Sequence, residues 1–273
     1  MYIKEKFVSV NKQVIIQKKY HNLFAMPTKE KIKQRRLPKN NETNLTQEKI
    51  NERLRKEKNM RLLADNFHAG DIYGTFTTSE KMTAEDFKEA VKRFMKRLRR
   101  EYKKRTWEKL KYFRVLENLK GSGRPHMHMM LPKFCDQSEV RRILADLWQD
   151  GFVSVQVYGG TATDAANIAG YFSKQTKKEQ GAKIDTSRGN LIRREPQKEI
   201  IHAETFSDEI KPPAGYRVVK SLTYTTFTQA GFDYQIAVFE KIEGSANCEF
   251  RRGNREGKTQ VCRSRKQKSG PAA

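Results

Sequence analysis

The alternation of apolar and polar positions becomes regular after residue 70 and predicts an ordered series of strands and helices. Asp71–Thr78 is rich in β-forming residues and follows a Gly-Asp break, which indicates a strand. Thr83 then precedes an acidic first turn and an apolar repeat with spacings of three and four, which predicts a capped amphipathic helix. The repeat consists of Phe87, Val91, Phe94, Met95, Leu98 and Tyr102.

The pattern continues with two strands, a helix and a fourth strand. Lys111–Glu117 and Pro125–Leu131 predict two strands separated by turn-forming residues. A second amphipathic helix is predicted over Val140–Trp148, and Phe152–Tyr158 alternates as a strand. The order β-α-β-β-α-β predicts an α+β domain of the ferredoxin-like, split βαβ type. Its first and third strands are expected at the centre of an antiparallel sheet.

The third strand contains two histidines, His126 and His128, with one residue between them. Residues i and i+2 of a strand point to the same face about 7 Å apart, so both imidazoles can reach one metal ion. With Gly121-Ser122 as a two-residue turn, Glu117 pairs with His126 on that face. These three side chains are therefore predicted metal ligands. The alternative is an amphipathic strand with two surface histidines.

A further helix is predicted over Thr163–Lys178, with a buried stripe of Ala165, Ile168, Ala169 and Phe172. Tyr171 lies roughly 110° from the centre of this stripe, on the polar side of the helix. Lys174 lies one turn beyond Tyr171, within reach of the same phosphate. Together with the predicted metal site, this position favours Tyr171 as a nucleophile toward a phosphodiester. The alternative is an exposed tyrosine beside solvated lysines.

Upstream of residue 66 the pattern is weak. Leu45–Asp65 is charge-dense, lacks Gly and Pro, and predicts a helix with a thin apolar stripe, either exposed to solvent or facing DNA. Nearer the start of the chain, apolar residues between Phe7 and Ile16 are compatible with a short pair of strands. Neither segment by itself predicts a large buried core.

The composition favours a polyanionic partner in a reducing compartment. There are 56 Lys+Arg against 32 Asp+Glu, a net charge of +24, which favours a nucleic acid over a merely soluble basic protein. The three cysteines, Cys135, Cys248 and Cys262, lie far apart and predict neither a disulfide framework nor a CxxC zinc site. No apolar run reaches transmembrane length, and the first residues are too charged for a signal peptide. A cytosolic protein with no membrane partner is expected.

Three of these features together resemble the HUH endonucleases, namely the hairpin glutamate, the P-H-M-H-M run that starts at Pro125 and the Y-x-x-K run Tyr171–Lys174. More narrowly, they resemble the single-tyrosine rolling-circle replication initiators of single-stranded DNA phages and small plasmids. Asn66–Asp71, leading into the first strand, resembles the first motif of these initiators. The resemblance covers about residues 65–180. Two-tyrosine members carry a second tyrosine where this chain has Gln175.

The resemblance implies a mechanism and a set of partners. Tyr171 attacks a phosphodiester of single-stranded DNA, which leaves a 5′-phosphotyrosine and a free 3′-OH and permits later rejoining. Lys174 positions the phosphate, and Asn167, Lys178 and Arg124 are expected to contact DNA. The implied cofactor is Mg²⁺ or Mn²⁺, although two histidines and a glutamate are also a zinc set. The implied partners are single-stranded DNA or a hairpin at a replication origin, with a host helicase and polymerase, in the cytosol of a bacterial host.

Four segments are expected on this basis. Residues 1–65 form a basic N-terminal extension with a charged helix, and residues 66–180 form the HUH endonuclease domain. Residues 181–240 form an accessory segment whose alternating ends are compatible with a β-hairpin. Residues 241–273 form a basic, disordered tail that adds salt-sensitive, sequence-independent affinity for DNA.

Two other functions are compatible with parts of the pattern. A conjugative relaxase or a transposase can use the same scaffold, but relaxases usually place the tyrosine before the H-x-H motif. Tyr2 and Tyr20 occupy such positions, and neither has a lysine one turn on in a recognisable helix. A non-catalytic nucleic-acid-binding module of the same fold would be favoured by stacking aromatic residues on the central strands. Those positions hold histidines and methionines instead.

Overall fold

The computed structural model describes residues 1–21, 45–120, 123–174, 183–227 and 231–242. Within these ranges the chain forms four helices and eleven strands. In chain order they are β1 (Tyr2–Val8), β2 (Val14–Tyr20), α1 (Leu45–Asn66), β3 (Ile72–Thr78), α2 (Ala84–Thr106), β4 (Phe113–Glu117), β5 (His126–Leu131), α3 (Gln137–Leu147), β6 (Gly151–Val157), α4 (Ala162–Lys174), β7 (Lys183–Thr186), β8 (Gln197–Ile201), β9 (Tyr216–Val218), β10 (Tyr224–Phe227) and β11 (Asp233–Lys241).

The predicted split βαβ arrangement is confirmed by the first sheet. Its strands lie in the order β6-β3-β5-β4-β7, and all neighbours are antiparallel. The first and third strands of the predicted series, β3 and β5, occupy the interior of the sheet as expected. β7 adds an edge strand next to β4 that the sequence pattern did not predict. The strand that carries both histidines is therefore hydrogen-bonded on both sides.

Helices α2 and α3 cover one face of this sheet. The predicted cap of α2 is confirmed, because the Thr83 hydroxyl accepts a hydrogen bond from the Asp86 backbone N–H at 3.1 Å. Met127 and Met129 point from β5 into the core that these helices enclose, and both are fully buried. Burial of this face fixes the register of β5, because a shift of one residue would turn the methionines toward the opposite face.

Helices α1 and α4 pack on the opposite face of the same sheet. Phe172 and Ala169 of α4 are fully buried beside Phe113 and Val115 of β4, as the predicted apolar stripe requires. Because α4 buries this stripe, Tyr171 stands at the edge of the contact between helix and sheet. The histidines of β5 lie on this same face of the sheet.

A second sheet joins the beginning of the chain to its later strands. Its order is β10-β11-β2-β1-β8, and β9 also pairs with β11. The pair β1–β2, which the sequence left open, forms with Phe7 opposite Ile16. The compatible hairpin of the later segment also forms, as β10 and β11, although residues 228–230 lie outside the described ranges. One compact unit spans Met1–Ile242. The predicted tail beyond residue 242 lies outside the described residues.

The helix predicted upstream of residue 66 is present as α1, but its surroundings differ from the expected exposed helix. Met60, Leu62 and Leu63 are buried in the core shared by α4, β4 and the inner face of the second sheet. Only the first half of α1 remains largely exposed, with Leu54 49% accessible. The sequence did not show this burial, because the covering strands come from distant parts of the chain.

The segment Asn66–Asp71 has a structural role at the junction of α1 and β3. The Asn66 side-chain amide donates to the carbonyl oxygens of Leu62 and Ile192, each at 2.8 Å, and its oxygen accepts from the Ile192 N–H at 2.7 Å. The Asp71 carboxylate accepts from the backbone N–H groups of His68 and Lys133. These bonds fix the entry into β3.

Asn66→Ala is therefore expected to lower the free energy of unfolding by about 1–3 kcal/mol, since it leaves backbone groups of Ile192 and Leu62 without their partner. Urea denaturation followed by circular dichroism measures the change. Asn51→Ala, an exposed position on the same helix, is the matched control. Equal stability of the two variants would show that the Asn66 clamp contributes nothing.

Candidate metal centre and nucleophile

The pairing of three adjacent strands assembles the site on one face of the sheet. Glu117 at the end of β4 lies directly opposite His126 of β5, which confirms the register predicted from the turn. Thr75 of β3 lies opposite His128 on the other side of β5. The turn residues 121 and 122 lie outside the described ranges. Strand pairing between β4 and β5 ends at Glu117 and His126, so the site occupies the open end of the hairpin.

The three side chains predicted as ligands converge. One ligand atom from each of Glu117, His126 and His128 lies within 4.8 Å of the other two. The His126 Nε2 atom is 2.9 Å from Glu117 Oε2, and the His128 Nε2 atom is 3.8 Å from the same oxygen. Glu117 is only 3% exposed and His128 8% exposed. This group can hold a metal ion.

Both imidazoles are oriented through the nitrogen that faces away from Glu117. The His126 Nδ1 atom is 3.2 Å from the backbone oxygen of Arg124. The His128 Nδ1 atom is 2.9 Å from the Tyr73 hydroxyl and 3.0 Å from the Thr75 hydroxyl. Histidine ligands commonly donate their second N–H in this way, which fixes the ring and leaves the other nitrogen for the metal. Both Nε2 atoms are thus placed to act as ligands.

Tyr73 and Thr75 are residues of the site that the sequence analysis treated only as strand formers. Tyr73 also stacks on the His128 ring, with centroids 5.8 Å apart and planes 17° from parallel. Their alternation on β3 was visible in the sequence, since both point to one face. What was missing was the register of β3 against β5, which sets them opposite Met130 and His128.

The electrostatic environment differs between the two histidines. Burial lowers the pKa of His128 to about 4, so its imidazole is neutral at neutral pH and keeps a lone pair for a cation. The hydrogen bond to Glu117 raises the pKa of His126. A cation bound by Glu117 and His126 would take the place of the proton that His126 otherwise shares with the carboxylate.

The chemistry of the Glu117 carboxylate fits a bound cation. Its Oε1 atom is buried and has no hydrogen-bonding partner among the described residues. A buried carboxylate oxygen without a partner is costly unless a cation or a donor satisfies it. Two imidazole nitrogens and a carboxylate oxygen suit a divalent ion and leave coordination positions open, as a reacting group requires. The donor set alone does not choose between Mg²⁺, Mn²⁺ and Zn²⁺.

Helix α4 brings Tyr171 to this group. The Tyr171 hydroxyl donates to Glu117 Oε2 at 3.0 Å and lies 2.9 Å from His128 Nε2. Its ring meets the His128 ring edge to face, with centroids 4.8 Å apart. The position off the buried stripe is thus explained, because the side chain is turned along the sheet toward the end of the β4–β5 hairpin.

The other tyrosines considered as nucleophiles make different contacts. The Tyr20 hydroxyl donates to Glu5 at 2.7 Å within the second sheet. Tyr2 packs against the ring of Phe206. Of these three tyrosines, the described contacts join only Tyr171 to the metal-ligand candidates.

The remaining predicted site residues are less well defined by the structure. Lys174 is the last residue of α4, and its side chain, like all of Lys178, lies outside what the structure describes. Arg124 is exposed beside His126, and its backbone oxygen accepts the His126 hydrogen bond. Asn167 is exposed on α4 and lines two clefts that flank Tyr171, of about 370 and 540 Å³. The roles of these residues in binding DNA stay predictions.

The fold and the site together define an antiparallel α+β protein with a Glu-His-His group on its central strands and a tyrosine on an adjoining helix. The model of a family described as replication-associated protein ORF2 matches residues 71–180, which is less than half of the chain. No curated protein and no solved structure matches the chain. In the part of the chain that the structure describes, no helix has the length and apolar character needed to cross a membrane.

Proposed function

We propose that this protein initiates rolling-circle replication by nicking single-stranded DNA at an origin, as an HUH endonuclease with one catalytic tyrosine. The observation that carries the proposal is the position of the Tyr171 hydroxyl, within hydrogen-bonding distance of both Glu117 and His128. A nucleophile beside a metal-ligand group is the arrangement that metal-assisted attack on a phosphodiester needs. The family match over residues 71–180 supports a role in replication initiation.

Glu117, His126 and His128 would hold Mg²⁺ or Mn²⁺ through one carboxylate oxygen and two Nε2 atoms. When bound, the ion supplies Lewis-acid stabilisation of the negative charge on the non-bridging oxygens of the phosphate. Tyr73 and Thr75 would keep the His128 ring in the orientation that directs Nε2 toward the ion.

Tyr171 would act as the nucleophile. In the absence of substrate its hydroxyl proton is directed at Glu117 Oε2, so the oxygen is already held beside the carboxylate. In the reaction a bond forms between the tyrosine oxygen and phosphorus, and the bond from phosphorus to the 3′ oxygen breaks. The tyrosine proton is released, and the departing 3′ oxygen takes up a proton from water. The reverse transfer to a 3′-OH rejoins the strand without another energy source.

The partner would be a single strand or a hairpin of DNA at the origin. The net charge of +24 supports binding to a polyanion, and most of that affinity would be independent of sequence and sensitive to salt. Lys174, Lys178, Asn167 and Arg124 are proposed to contact the strand near the site. A host helicase and polymerase would then extend the free 3′-OH in the bacterial cytosol.

The proposal is tested by incubating the protein with pooled single-stranded DNA and Mn²⁺, followed by denaturing electrophoresis and peptide mapping of any covalent adduct. We expect an adduct on Tyr171. Attachment to Tyr2, Tyr20 or Tyr158 would overturn the assignment of the nucleophile. The absence of any adduct would favour a non-catalytic nucleic-acid-binding module.

Replacing Glu117 with alanine is expected to weaken Mn²⁺ binding by at least about tenfold, because one of three protein ligands is lost. Excess Mn²⁺ should partly restore nicking, since the two histidines remain. Titration calorimetry gives the affinity, and a metal titration of adduct formation gives the rescue. Glu139→Ala, which removes a carboxylate on α3 outside the site, is the control. An unchanged Mn²⁺ affinity in Glu117→Ala would reduce Glu117 to a structural residue.

A further inference from the structure

Helix α1 presents a row of cations to the helix that carries Tyr171. Lys49, Arg53 and Lys56 are spaced by four and three residues, so they share one side of α1. They line the cleft of about 540 Å³ between α1 and α4, and Tyr171 forms part of its opposite wall. Glu52 is the single acidic residue that lines this cleft. The cleft therefore carries an excess of positive charge up to the nucleophile.

Lys56 is the cation of this row that lies against the residue before Tyr171. A Cβ atom built on Gly170 would be 3.3 Å from Lys56 Cε and 3.5 Å from Lys56 Nζ. The lack of a side chain at Gly170 thus gives the lysine room to lie across α4. One turn further along, the Asn59 amide donates to the Ser173 hydroxyl at 3.2 Å, which fixes α1 against α4 at this point.

Lys56 differs from its neighbours in having its charge uncommitted. Among the described residues it forms no ion pair, whereas Glu57, the next residue, pairs with Lys18. Arg53 lies over the ring of Tyr234, with its guanidinium carbon 4.7 Å from the centroid. A half-buried ammonium group without a counter-ion at the mouth of a basic cleft suits a phosphate oxygen.

We propose that Lys56 binds a phosphate of the single-stranded DNA adjacent to the phosphate that Tyr171 attacks. This inference rests on the proposed function and adds to it a contact from α1, which lies outside the segment matched by the family model. The strand would then run along the α1–α4 cleft to reach Tyr171. Because Lys56 would hold substrate and transition state equally, it affects the binding of DNA and leaves the chemical step unchanged.

The test compares Lys56→Met with Arg55→Met, which removes the same charge from an adjacent, exposed position outside the cleft. The probe is a fluorescein-labelled oligonucleotide that the wild type has converted to an adduct in the pooled assay. Its affinity is measured by anisotropy over a series of salt concentrations, and adduct formation is followed over a series of DNA concentrations. Lys56→Arg keeps the charge, and thermal melts report folding of all variants.

For Lys56→Met we expect the salt slope of the affinity to decrease by about 0.7, the contribution of one contact to single-stranded DNA. The DNA concentration giving half the maximal adduct rate should rise about tenfold, with the maximal rate unchanged. Lys56→Arg should restore both values. A response of Lys56→Met equal to that of Arg55→Met, with a wild type that forms the adduct, overturns this inference alone. A wild type that forms no adduct overturns the proposed function and the role of Lys56 with it.

Discussion

Tyr171→Phe is expected to abolish the covalent protein–DNA adduct, with a fall in its rate of at least about a thousandfold. The substitution keeps the ring that packs edge to face on His128 and removes only the hydroxyl that contacts Glu117 and His128. Folding and DNA binding should therefore change little, because neither depends on a nucleophilic oxygen. Denaturing gels with labelled DNA measure the adduct, and anisotropy measures binding.

The control for this experiment is Tyr224→Phe, which removes a tyrosine hydroxyl from the 41% exposed Tyr224 of β10. It should form the adduct at the wild-type rate. Lys174→Ala provides a graded comparison, since loss of phosphate positioning should slow the reaction and leave the nucleophile in place. An adduct that persists in Tyr171→Phe would remove Tyr171 from the mechanism, whatever the behaviour of Lys174→Ala.

The second large effect is expected on removal of either histidine. His126→Ala or His128→Ala should abolish nicking and lower the affinity for Mn²⁺ by about 10- to 100-fold or more, because each removes one of two imidazole nitrogens from the site. The affinity for DNA should stay within about twofold of the wild type, since the basic surface supplies most of it. Titration calorimetry with Mn²⁺ provides a measurement that does not depend on activity.

His202→Ala is the matched control, because His202 is an exposed histidine outside the site. Thermal melts are needed for His128→Ala in particular, since this side chain is buried and contacts Tyr73, Thr75 and Tyr171. Loss of metal binding in a folded variant supports the assignment. Nicking at the wild-type rate under limiting Mn²⁺ in either histidine variant would exclude the proposed metal site.

The local patterns in the sequence were sufficient for the central sheet and for the hairpin that carries the candidate ligands. Side chains alternate along a strand with a period of two, so His126 and His128 had to share one face while Met127 and Met129 were buried on the other. A turn centred on residues 121 and 122 then determined that Glu117 would face His126. The helical period of α4 likewise separated Tyr171 from the buried stripe.

What the sequence by itself determined was thus each element, its buried face and the pairing across one short turn. The tertiary structure alone decided which distant elements meet. It set Tyr73 and Thr75 against His128, joined β1 and β2 to β11 in a second sheet, and buried the end of α1 beside α4. The physical reason is that periodicity reports the environment of a residue within its own element. Contacts such as Lys56 with Gly170 depend on packing between elements more than 100 residues apart in the chain, and local pattern does not encode that packing.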